Sequence, residues 1–229
     1  MVSWYLGVDA GGSHCRARLV DGAGQVLGSG HAGPANMRIG VAIAVEALRA
    51  IDLGLASVAL ATDAAIANLG AHGGRDGATL ILGTGSIAQL RVNDTDFAIG
   101  GYGFPISDEG SGAALGLSAM RHALRALDGR TARTPLAPPI VIQHAQADDP
   151  IARSIVEDAA GHVERFIETI FERGAPACAL LGGLAPHLRP WLRARTVAQL
   201  SEPQGDALDG ALFLAGLAAP EAAQRASAA

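Results

Sequence analysis

The sequence predicts an α/β fold, with enough chain for two compact lobes. Three strand-like apolar runs each break at a glycine-rich turn, and stretches with apolar residues at helical spacing lie between these runs. The 229 residues are 49% hydrophobic and include 30 Gly and 11 Pro, which is typical of a globular protein with a sizeable core and many turns.

The predicted elements follow from these patterns in chain order. Two or three antiparallel strands cover residues 4–30, and a rough apolar stripe predicts a helix over 38–51. A helix is expected over 150–173, because Pro150 suits its first turn and Gly174 suits its C′ position. The remaining strands are expected at 57–61, 78–82, 86–92 and 177–181. The remaining helices are expected at 63–72, at 110–127, from about 184, and at 206–218.

The first strand–turn unit is Tyr5–Val20, in which an apolar run ends at Asp9 and resumes after two glycines and a hydroxyl. Asp9 stands where Mg²⁺ or its water shell could be held. Gly11 and Gly12 let backbone N–H groups approach a phosphate closely, and Ser13 adds a hydroxyl donor. A tight β-hairpin with polar turn residues explains the same segment without any ligand.

Two later units repeat this arrangement. In Ala78–Leu90 a buried-looking strand breaks at a Gly-Thr-Gly-Ser turn, where Thr84 and Gly85 offer donors to phosphate oxygens. The third apolar run, near the end of the chain, breaks at Gly182 and Gly183 before a helix start, where an adenosine could lie against bare backbone. Tight packing alone explains any one glycine turn, but three such units in this order favour phosphate binding.

The three units together resemble the phosphate-1, phosphate-2 and adenosine motifs of the sugar kinase, Hsp70 and actin superfamily. Within it the chain resembles the BadF/BadG-type ATPase and N-acetylglucosamine kinase family, and most closely its bacterial glucosamine kinases. The most specific motif is Ser-Asp-Glu-Gly-Ser-Gly at residues 107–112. Further matching segments are Gly33–Asn36, Ala61–Ala65, Gly100–Gly112 and Asp206–Gly216.

This resemblance implies a two-lobed actin-like ATPase fold, related to ribonuclease H, in which mixed sheets are flanked by helices and an ATP cleft lies between the lobes. An N-terminal lobe over residues 1–100 would carry both phosphate motifs and the catalytic aspartate. A C-terminal lobe over 101–218 would carry the adenosine motif, and the low-complexity residues 219–229 are expected to form a frayed tail. The implied activity is phosphoryl transfer from ATP to a sugar alcohol, with Mg²⁺ as the metal cofactor.

Asp63 is the candidate catalytic base. It follows an apolar strand and precedes a helical run, so its carboxylate is expected to enter a cleft at the end of that strand. The alternative is that Asp63 only caps the helix as its N-cap residue. The family's catalytic aspartate falls in the matching Thr-Asp motif, so the resemblance favours the role of base.

Two polar loops are expected to bind the sugar. Asn36 could hydrogen-bond sugar hydroxyls, although an Asx turn after Pro34 also explains it. Asp108 could accept a hydrogen bond from a hydroxyl or from an amino nitrogen. Glu109 is either a second sugar contact or an acid that caps the following helix. The other expected substrate contacts are Ser86, Gly101, Tyr102 and Gly103.

The resemblance implies that glucosamine is phosphorylated to glucosamine 6-phosphate. Two acids beside Tyr102, Phe104 and Pro105 favour a cationic amine over a neutral and bulkier acetamido group. N-acetylglucosamine is the near alternative. A BadF-type ATPase activator would need cysteines spaced to hold an iron–sulfur cluster, and a non-catalytic sugar-binding regulator should lack Asp63 or the phosphate turns.

Composition limits the other partners. The net charge is −5 and only 17% of residues are charged, which gives no electrostatic basis for binding nucleic acid or an anionic membrane. Cys15 and Cys178 show neither metal-ligand nor disulfide spacing. The chain enters a strand at once and its apolar runs are short, so we expect no signal peptide and a cytoplasmic location. The expected partners are a small-molecule sugar and a second copy in a homodimer.

The chain departs from the family's pattern at two joins. Only Asp52–Ser57 connects the first predicted helix to the strand at Val58, whereas a crossover between parallel strands needs roughly a dozen residues. A similar shortage occurs around Ala137-Pro138. We interpret both joins as places where segments of the family's chain are omitted from this sequence.

Overall fold

The computed structural model describes residues 3–10, 15–33, 56–132 and 141–218. The predicted helix at 38–51, Asn36, the candidate phosphate residues at positions 11–13 and the predicted frayed tail lie outside these ranges. The chain forms two compact units. The first contains the residues up to Asp76 together with those from Pro203 onward, and the second is Gly77–Glu202.

Strands and helices of very different lengths make up the described residues. The strands are β1 (Trp4–Ala10), β2 (Cys15–Asp21), β3 (Val26–Ala32), β4 (Gly77–Leu82), β5 (Ser86–Val92), β6 (Thr95–Gly100) and β7 (Cys178–Leu181). The helices are α1 (Asp63–Ala71), α2 (Gly112–Leu127), α3 (Val141–Gln146), α4 (Pro150–Glu172), α5 (Ala185–Leu188), α6 (Ala194–Val197) and α7 (Ala207–Leu214), with a 3₁₀ turn at Arg189–Trp191. None of the helices described combines the length and the apolar character that crossing a membrane requires.

The sheet of the first unit is an antiparallel meander of β1, β2 and β3. In the β1–β2 pair Asp9 lies opposite Arg16, and Gly7 lies opposite Arg18. Because side chains alternate across a strand, these four positions share one face of the sheet. Helix α7 covers that face so closely that a Cβ atom on Gly7 would lie 3.0 Å from Leu212 Cγ.

Helices α1 and α7 cross with their backbones in contact. Gly70 of α1 and Gly210 of α7 lie at the crossing. A Cβ atom on Gly70 would overlap the carbonyl oxygen of Asp206, and one on Gly210 would overlap the carbonyl oxygen of Ile66. Only glycine therefore fits at either position. The contact fixes α1, which carries Asp63 as its first residue, against the terminal helix.

The sheet of the second unit has the strand order β6-β5-β4-β7. β4 pairs antiparallel with β5 and parallel with β7, so the carboxyl ends of β4 and β7 meet at one edge of the sheet. The core packs the central strands against the apolar stripe of α4, and each fully buried aliphatic side chain contributes about 1.5–3 kcal/mol. Prominent members of this core are Leu80, Leu82, Leu90, Val156, Val163 and Ile167.

A buried carboxylate joins α4 to α6 in the second unit. Glu164 accepts the N–H of Arg193 at 2.7 Å and the hydroxyl of Thr196 at 3.3 Å, and it forms an ion pair with the Arg193 guanidinium. Burial alone would raise the pKa of Glu164, but the hydrogen bonds and charge of Arg193 hold the pKa below its ordinary value. The native state therefore keeps this carboxylate ionised.

Most predicted elements within the described residues are confirmed to within a few residues. α4 begins at Pro150, and Gly174 follows it with φ +88°. The predicted strand at 57–61 is wrong, because these residues have no regular structure and Val58 is 41% exposed without a strand beside it among the described residues. The terminal helix ends at Leu214 rather than at 218.

The boundary between the two units differs from the expected lobes 1–100 and 101–218. Strands β4, β5 and β6 belong with the later residues because they share one sheet with β7. The residues from Pro203 onward belong with the first unit, since α7 packs against α1 and β1. Both differences arise from pairings between elements that are far apart in sequence.

Candidate functional site

The candidate phosphate-2 turn lies at the carboxyl end of β4. Gly83–Gly85 forms a three-residue hairpin loop between β4 and β5, and the Gly83 N–H donates to the Gly85 carbonyl at 2.9 Å. This position is where ligands commonly bind α/β proteins, because loops at the carboxyl ends of parallel strands converge there. Thr84 and Gly85, the expected phosphate donors, are thus placed at the edge shared by β4 and β7.

The candidate adenosine turn meets the same end of β4. Gly182 follows β7 with φ +92°, and a Cβ atom on it would overlap the backbone carbonyl of Leu82. The N–H of Leu184 donates to that carbonyl at 3.0 Å. Gly183 is different, because no heavy atom of the described residues lies within 4 Å of its Cβ position. Gly182 is therefore explained by packing, whereas Gly183 borders open space that a ligand could occupy.

Three hydrogen bonds join the Ser-Asp-Glu-Gly-Ser-Gly loop and the residue after it, Ala113, to the phosphate-2 turn. The Ser86 hydroxyl donates to the Glu109 carbonyl at 2.8 Å. The N–H of Gly112 donates to the Gly83 carbonyl at 2.9 Å, and the N–H of Ala113 donates to the Thr84 carbonyl at 3.1 Å. The two loops therefore form one body within the second unit.

Ser86 and Glu109 form one of the hydrogen bonds that hold these two loops together. Ser86 is only 2% exposed and its proton is committed to Glu109, so its role as a substrate contact stays a prediction. The side chain that caps α2 is Ser111, whose Oγ accepts the N–H of Ala114 at 3.2 Å. The alternative that Glu109 is the capping acid is wrong, because Ser111 occupies the N-cap position.

Asp108 is the strained residue of this loop. Its φ is +72°, a conformation that costs a non-glycine residue about 1–3 kcal/mol, and the residue is 8% exposed. Its carboxylate lies against Gly85, where a Cβ atom would be 2.8 Å from Asp108 Oδ2. The fold thus holds a buried carboxylate directly beside the phosphate-2 turn.

The expected sugar-loop residues Gly101, Tyr102 and Gly103 leave the sheet after β6. Gly101 has φ +73°, and a Cβ atom there would lie 2.7 Å from the Ile87 side chain, so packing explains this glycine. Gly103 has φ +91°, and no atom of the described part of the chain lies within 4 Å of its Cβ position. Tyr102 is 81% exposed, which leaves its ring free to cover a ligand. A sugar contact by any of the three stays a prediction.

Asp63 is the first residue of α1 and is exposed. Thr62 is the N-cap, since its Oγ1 accepts the N–H of Ala65 at 3.2 Å. Asp63 Oδ1 accepts the neighbouring N–H of Ala64 at 2.8 Å. The alternative that Asp63 serves as the N-cap is therefore wrong. An accessible carboxylate held at a helix start is compatible with a general base.

Asp9 pairs with Arg16 across the β1–β2 hairpin. Arg16 Nη2 donates to Asp9 Oδ2 at 2.7 Å, and this hydrogen bond raises the pKa of Arg16 above its ordinary value. Asp9 Oδ1 accepts no hydrogen bond from the described residues. Within the part of the chain that the structure describes, no three His, Cys, Asp or Glu side chains form a cage for a metal. One free carboxylate oxygen suits Mg²⁺, which keeps much of its water and takes few protein ligands.

The remaining site residues of the sequence analysis cannot be placed. Gly11, Gly12, Ser13 and Asn36 lie outside the described residues. Arg16, which contacts Asp9 directly, is not among the residues predicted for the site. The sequence does contain a signal for this contact. Once a turn length is assumed for the β1–β2 hairpin, its register places Arg16 opposite Asp9.

Comparison with known proteins identifies the family. The sequence profile described as the BadF/BadG/BcrA/BcrD ATPase family matches residues 43–215. The chain belongs to this family. A relative, glucosamine kinase GspK of Vibrio cholerae serotype O1, is 30% identical over 283 aligned positions, which cover 94% of this chain and 96% of that protein. Because 283 positions exceed the 229 residues of this chain, the alignment contains segments that GspK has and this chain lacks.

Solved structures confirm the fold class. A candidate N-acetylglucosamine kinase from Chromobacterium violaceum is 28% identical with a TM-score of 0.79, covering 93% of this chain and 99% of that one. The ROK hexokinase from Thermus thermophilus is 18% identical with a TM-score of 0.59, covering 93% and 98%. The family member described here therefore has the α/β fold of these sugar kinases.

Proposed function

We propose that this protein is an ATP-dependent amino-sugar kinase that phosphorylates glucosamine to glucosamine 6-phosphate. The 30% identity to a glucosamine kinase over 94% of the chain supports this substrate class. The structural observation that best supports the proposal is the contact of the Asp108 carboxylate with Gly85 of the phosphate-2 turn. A carboxylate in that place can hold a sugar next to the groups that hold a transferring phosphoryl group.

The reaction assigns a role to each candidate residue. Asp63 takes the proton of the sugar 6-hydroxyl as its oxygen attacks the γ-phosphorus of ATP. The bond between that phosphorus and the β–γ bridging oxygen breaks, and ADP leaves with the bond's electron pair. Thr84 and Gly85 offer donors to the phosphate oxygens, and Gly183 leaves room for the adenosine. Asp108 accepts a hydrogen bond from the sugar.

Mg²⁺ is the proposed metal cofactor alongside ATP. Asp9 would hold it through its free carboxylate oxygen and the metal's water shell. When bound, Mg²⁺ neutralises developing charge on the phosphates. The phosphate-1 residues Gly11, Gly12 and Ser13 are proposed as further phosphate donors, and Asn36 as a further sugar contact.

N-acetylglucosamine is the second candidate substrate. The observation that favours it is the Chromobacterium violaceum structure, a candidate N-acetylglucosamine kinase with a TM-score of 0.79. The two sugars differ in the group at C2. A free amine gains a charge-assisted hydrogen bond from Asp108, whereas an acetamido group needs an apolar recess.

An activator with an iron–sulfur cluster fits less well. A cluster needs cysteine thiolates, and Cys178 is buried in β7, where burial raises the pKa of its thiol to about 12. A non-catalytic sugar-binding regulator also fits less well, because the chain keeps Asp63 and the phosphate-2 turn. A cytoplasmic location and a homodimer remain our expectations, and light scattering of the purified protein would measure the second.

The direct test is a steady-state assay of ADP release with a panel of hexoses and amino sugars, followed by mass spectrometry of the product. We expect glucosamine to be phosphorylated fastest. Asp63→Asn is the control for contaminating kinases, since it should abolish most of the turnover. ADP release that is independent of every sugar would contradict the proposal.

A further inference from the structure

At the start of the terminal helix α7, the carboxylates of Asp206 and Asp209 each accept the backbone N–H of the other residue. Asp206 is the N-cap, and its Oδ1 accepts the N–H groups of Leu208 at 3.0 Å and Asp209 at 3.1 Å. Asp209 completes a capping box, because its Oδ2 accepts the N–H of Asp206 at 2.9 Å. Each acid therefore has one carboxylate oxygen left for a partner outside the helix.

Two arginines of β2 bind those remaining oxygens. Arg18 Nη1 lies 2.5 Å from Asp209 Oδ1, and Arg18 Nη2 lies 3.7 Å from Asp206 Oδ2. Arg16 Nη1 lies 3.3 Å from the same Asp206 oxygen. These partners are partly buried. Burial alone would raise the pKa of Asp206, but the hydrogen bond from the Asp209 N–H and the charges of Arg18 and Arg16 hold this pKa below its ordinary value.

Arg16 pairs with Asp9 where Arg18 pairs with Asp209. The second guanidinium nitrogen of Arg16 donates to Asp9 Oδ2 at 2.7 Å, so a single side chain joins Asp9 on β1 to the cap of α7. Arg18 touches both acids of the helix, but no contact with Asp9 is found for it among the described residues. The planar guanidinium holds its two acceptors in a fixed relative geometry.

We propose that Arg16 is a positioning residue that holds the Asp9 carboxylate in the orientation required for Mg²⁺-dependent nucleotide binding. This inference rests on the proposed function, in which Asp9 organises Mg²⁺. Arg16 fixes Oδ2 and leaves Oδ1 for the metal's water shell. Asp206 in turn anchors Arg16, so the terminal helix contributes to the nucleotide site through one side chain.

A guanidinium beside a metal-binding carboxylate has two opposite effects. Its positive charge repels the metal, and its hydrogen bond restricts the rotation of the carboxylate, which favours binding. The charge of Arg16 is offset by Asp206, whose carboxylate lies 3.3 Å from the guanidinium. The positioning effect is therefore expected to dominate, and loss of Arg16 should weaken Mg²⁺-dependent nucleotide binding.

The test measures ADP binding to the full chain by titration calorimetry over a series of Mg²⁺ concentrations. Arg16→Gln should raise the Mg²⁺ concentration for half-maximal binding about 10-fold, the lower end of the usual effect of losing an outer-shell partner. Arg16→Lys should weaken Mg²⁺-dependent binding less than Arg16→Gln, because lysine keeps the positive charge but not the planar pair of nitrogens that contacts two carboxylates. Arg18→Gln is the matched control. It removes comparable ion pairs with α7 and should leave the Mg²⁺ dependence close to that of the wild type.

Urea unfolding of each variant separates positioning from folding. If Arg16→Gln does not fold, Asp206→Asn replaces it, because asparagine keeps an oxygen for the helix cap and loses the anchor of Arg16; a partial weakening is then expected. An unchanged or stronger response of Arg16→Gln to Mg²⁺ would overturn the proposal, as would a wild type that binds ADP without regard to Mg²⁺. A wild type that binds ADP with Mg²⁺, responds to Arg16→Gln and phosphorylates no sugar would instead contradict only the proposed kinase activity.

Discussion

The carboxylate of Asp108 occupies the space that a side chain on Gly85 would need. A Cβ atom on Gly85 would lie 2.8 Å from Asp108 Oδ2 and 3.2 Å from its Cγ. Because the hydrogen bonds of Ser86 and Gly112 hold the two loops together, the contact cannot be relieved by moving the loops apart without breaking these bonds. The glycine thus sets the position of the acid that we assign to the sugar.

Gly85→Ala is expected to displace Asp108 rather than unfold the protein. The clashing atoms belong to the end of a side chain that can rotate, so the free energy of unfolding should fall by only about 1 kcal/mol. The sugar should bind more weakly, with a clear rise in the sugar KM. Steady-state kinetics and urea unfolding measure the two effects.

Gly83→Ala is the control within the same turn, since among the residues that the structure describes no heavy atom lies within 4 Å of its Cβ position. It should leave the sugar KM close to that of the wild type. Equal effects of the two alanines on the sugar KM would show that Asp108 is not placed by Gly85.

Asp63→Asn tests the proposed base. The variant should fold and bind nucleotide, but its turnover should fall about 10²–10⁴-fold, the usual contribution of a positioned general base. Thr62→Ala is the control, because removal of this N-cap should cost about 1 kcal/mol of stability without removing the carboxylate. Near wild-type turnover in Asp63→Asn would exclude Asp63 as the base.

The local features of this fold could be read from the sequence. Strands β4 and β5, helix α4 and its flanking Pro150 and Gly174 follow from apolar patterns and from residues with restricted backbone preferences. The phosphate-2 and adenosine turns were likewise visible as glycines after apolar runs. Each of these features depends on neighbours within a few residues of the chain.

Long-range contacts could not be predicted in the same way. The division into units depends on the pairing of β4 with β7 and on the return of α7 to α1, and both link distant parts of the sequence. The strand expected at 57–61 fails for a related reason, since an apolar run forms a strand only beside a partner. The contact of Arg16 with both Asp9 and Asp206 also requires the folded structure.

Gly210→Ala tests the crossing of α1 and α7. The added methyl group would overlap the carbonyl oxygen of Ile66, a backbone atom that cannot rotate away, so we expect a loss of about 3 kcal/mol in the free energy of unfolding. Gly116→Ala is the control, because Gly116 also lies in a helix but no atom in the described ranges lies within 4 Å of its Cβ position. Alanine there should stabilise by about 0.5–1 kcal/mol. Similar effects of both variants on urea unfolding would contradict the close crossing.

Glu164 should make stability depend on pH in the acid range. Its native pKa is held below the ordinary value of 4.5, so the unfolded chain binds the proton more readily. The stabilisation is therefore fully present above the unfolded pKa and is lost as the pH falls through 4.5 towards the native pKa. Urea unfolding between neutral and acid pH should show a smaller decline in Glu164→Gln than in the wild type. An identical decline in both proteins would rule out this contribution.

The choice between the two amino sugars is tested at Asp108. A cationic amine at C2 gains a charge-assisted bond from a carboxylate, whereas Tyr102, Phe104 and Pro105 would narrow a recess for an acetyl methyl group. We therefore expect a higher kcat/KM for glucosamine than for N-acetylglucosamine in the wild type. Asp108→Asn should reduce this preference, because the amide keeps the shape and loses the charge. A wild type that prefers N-acetylglucosamine about tenfold, equivalent to about 1.4 kcal/mol of transition-state binding, would reverse the assignment of the substrate.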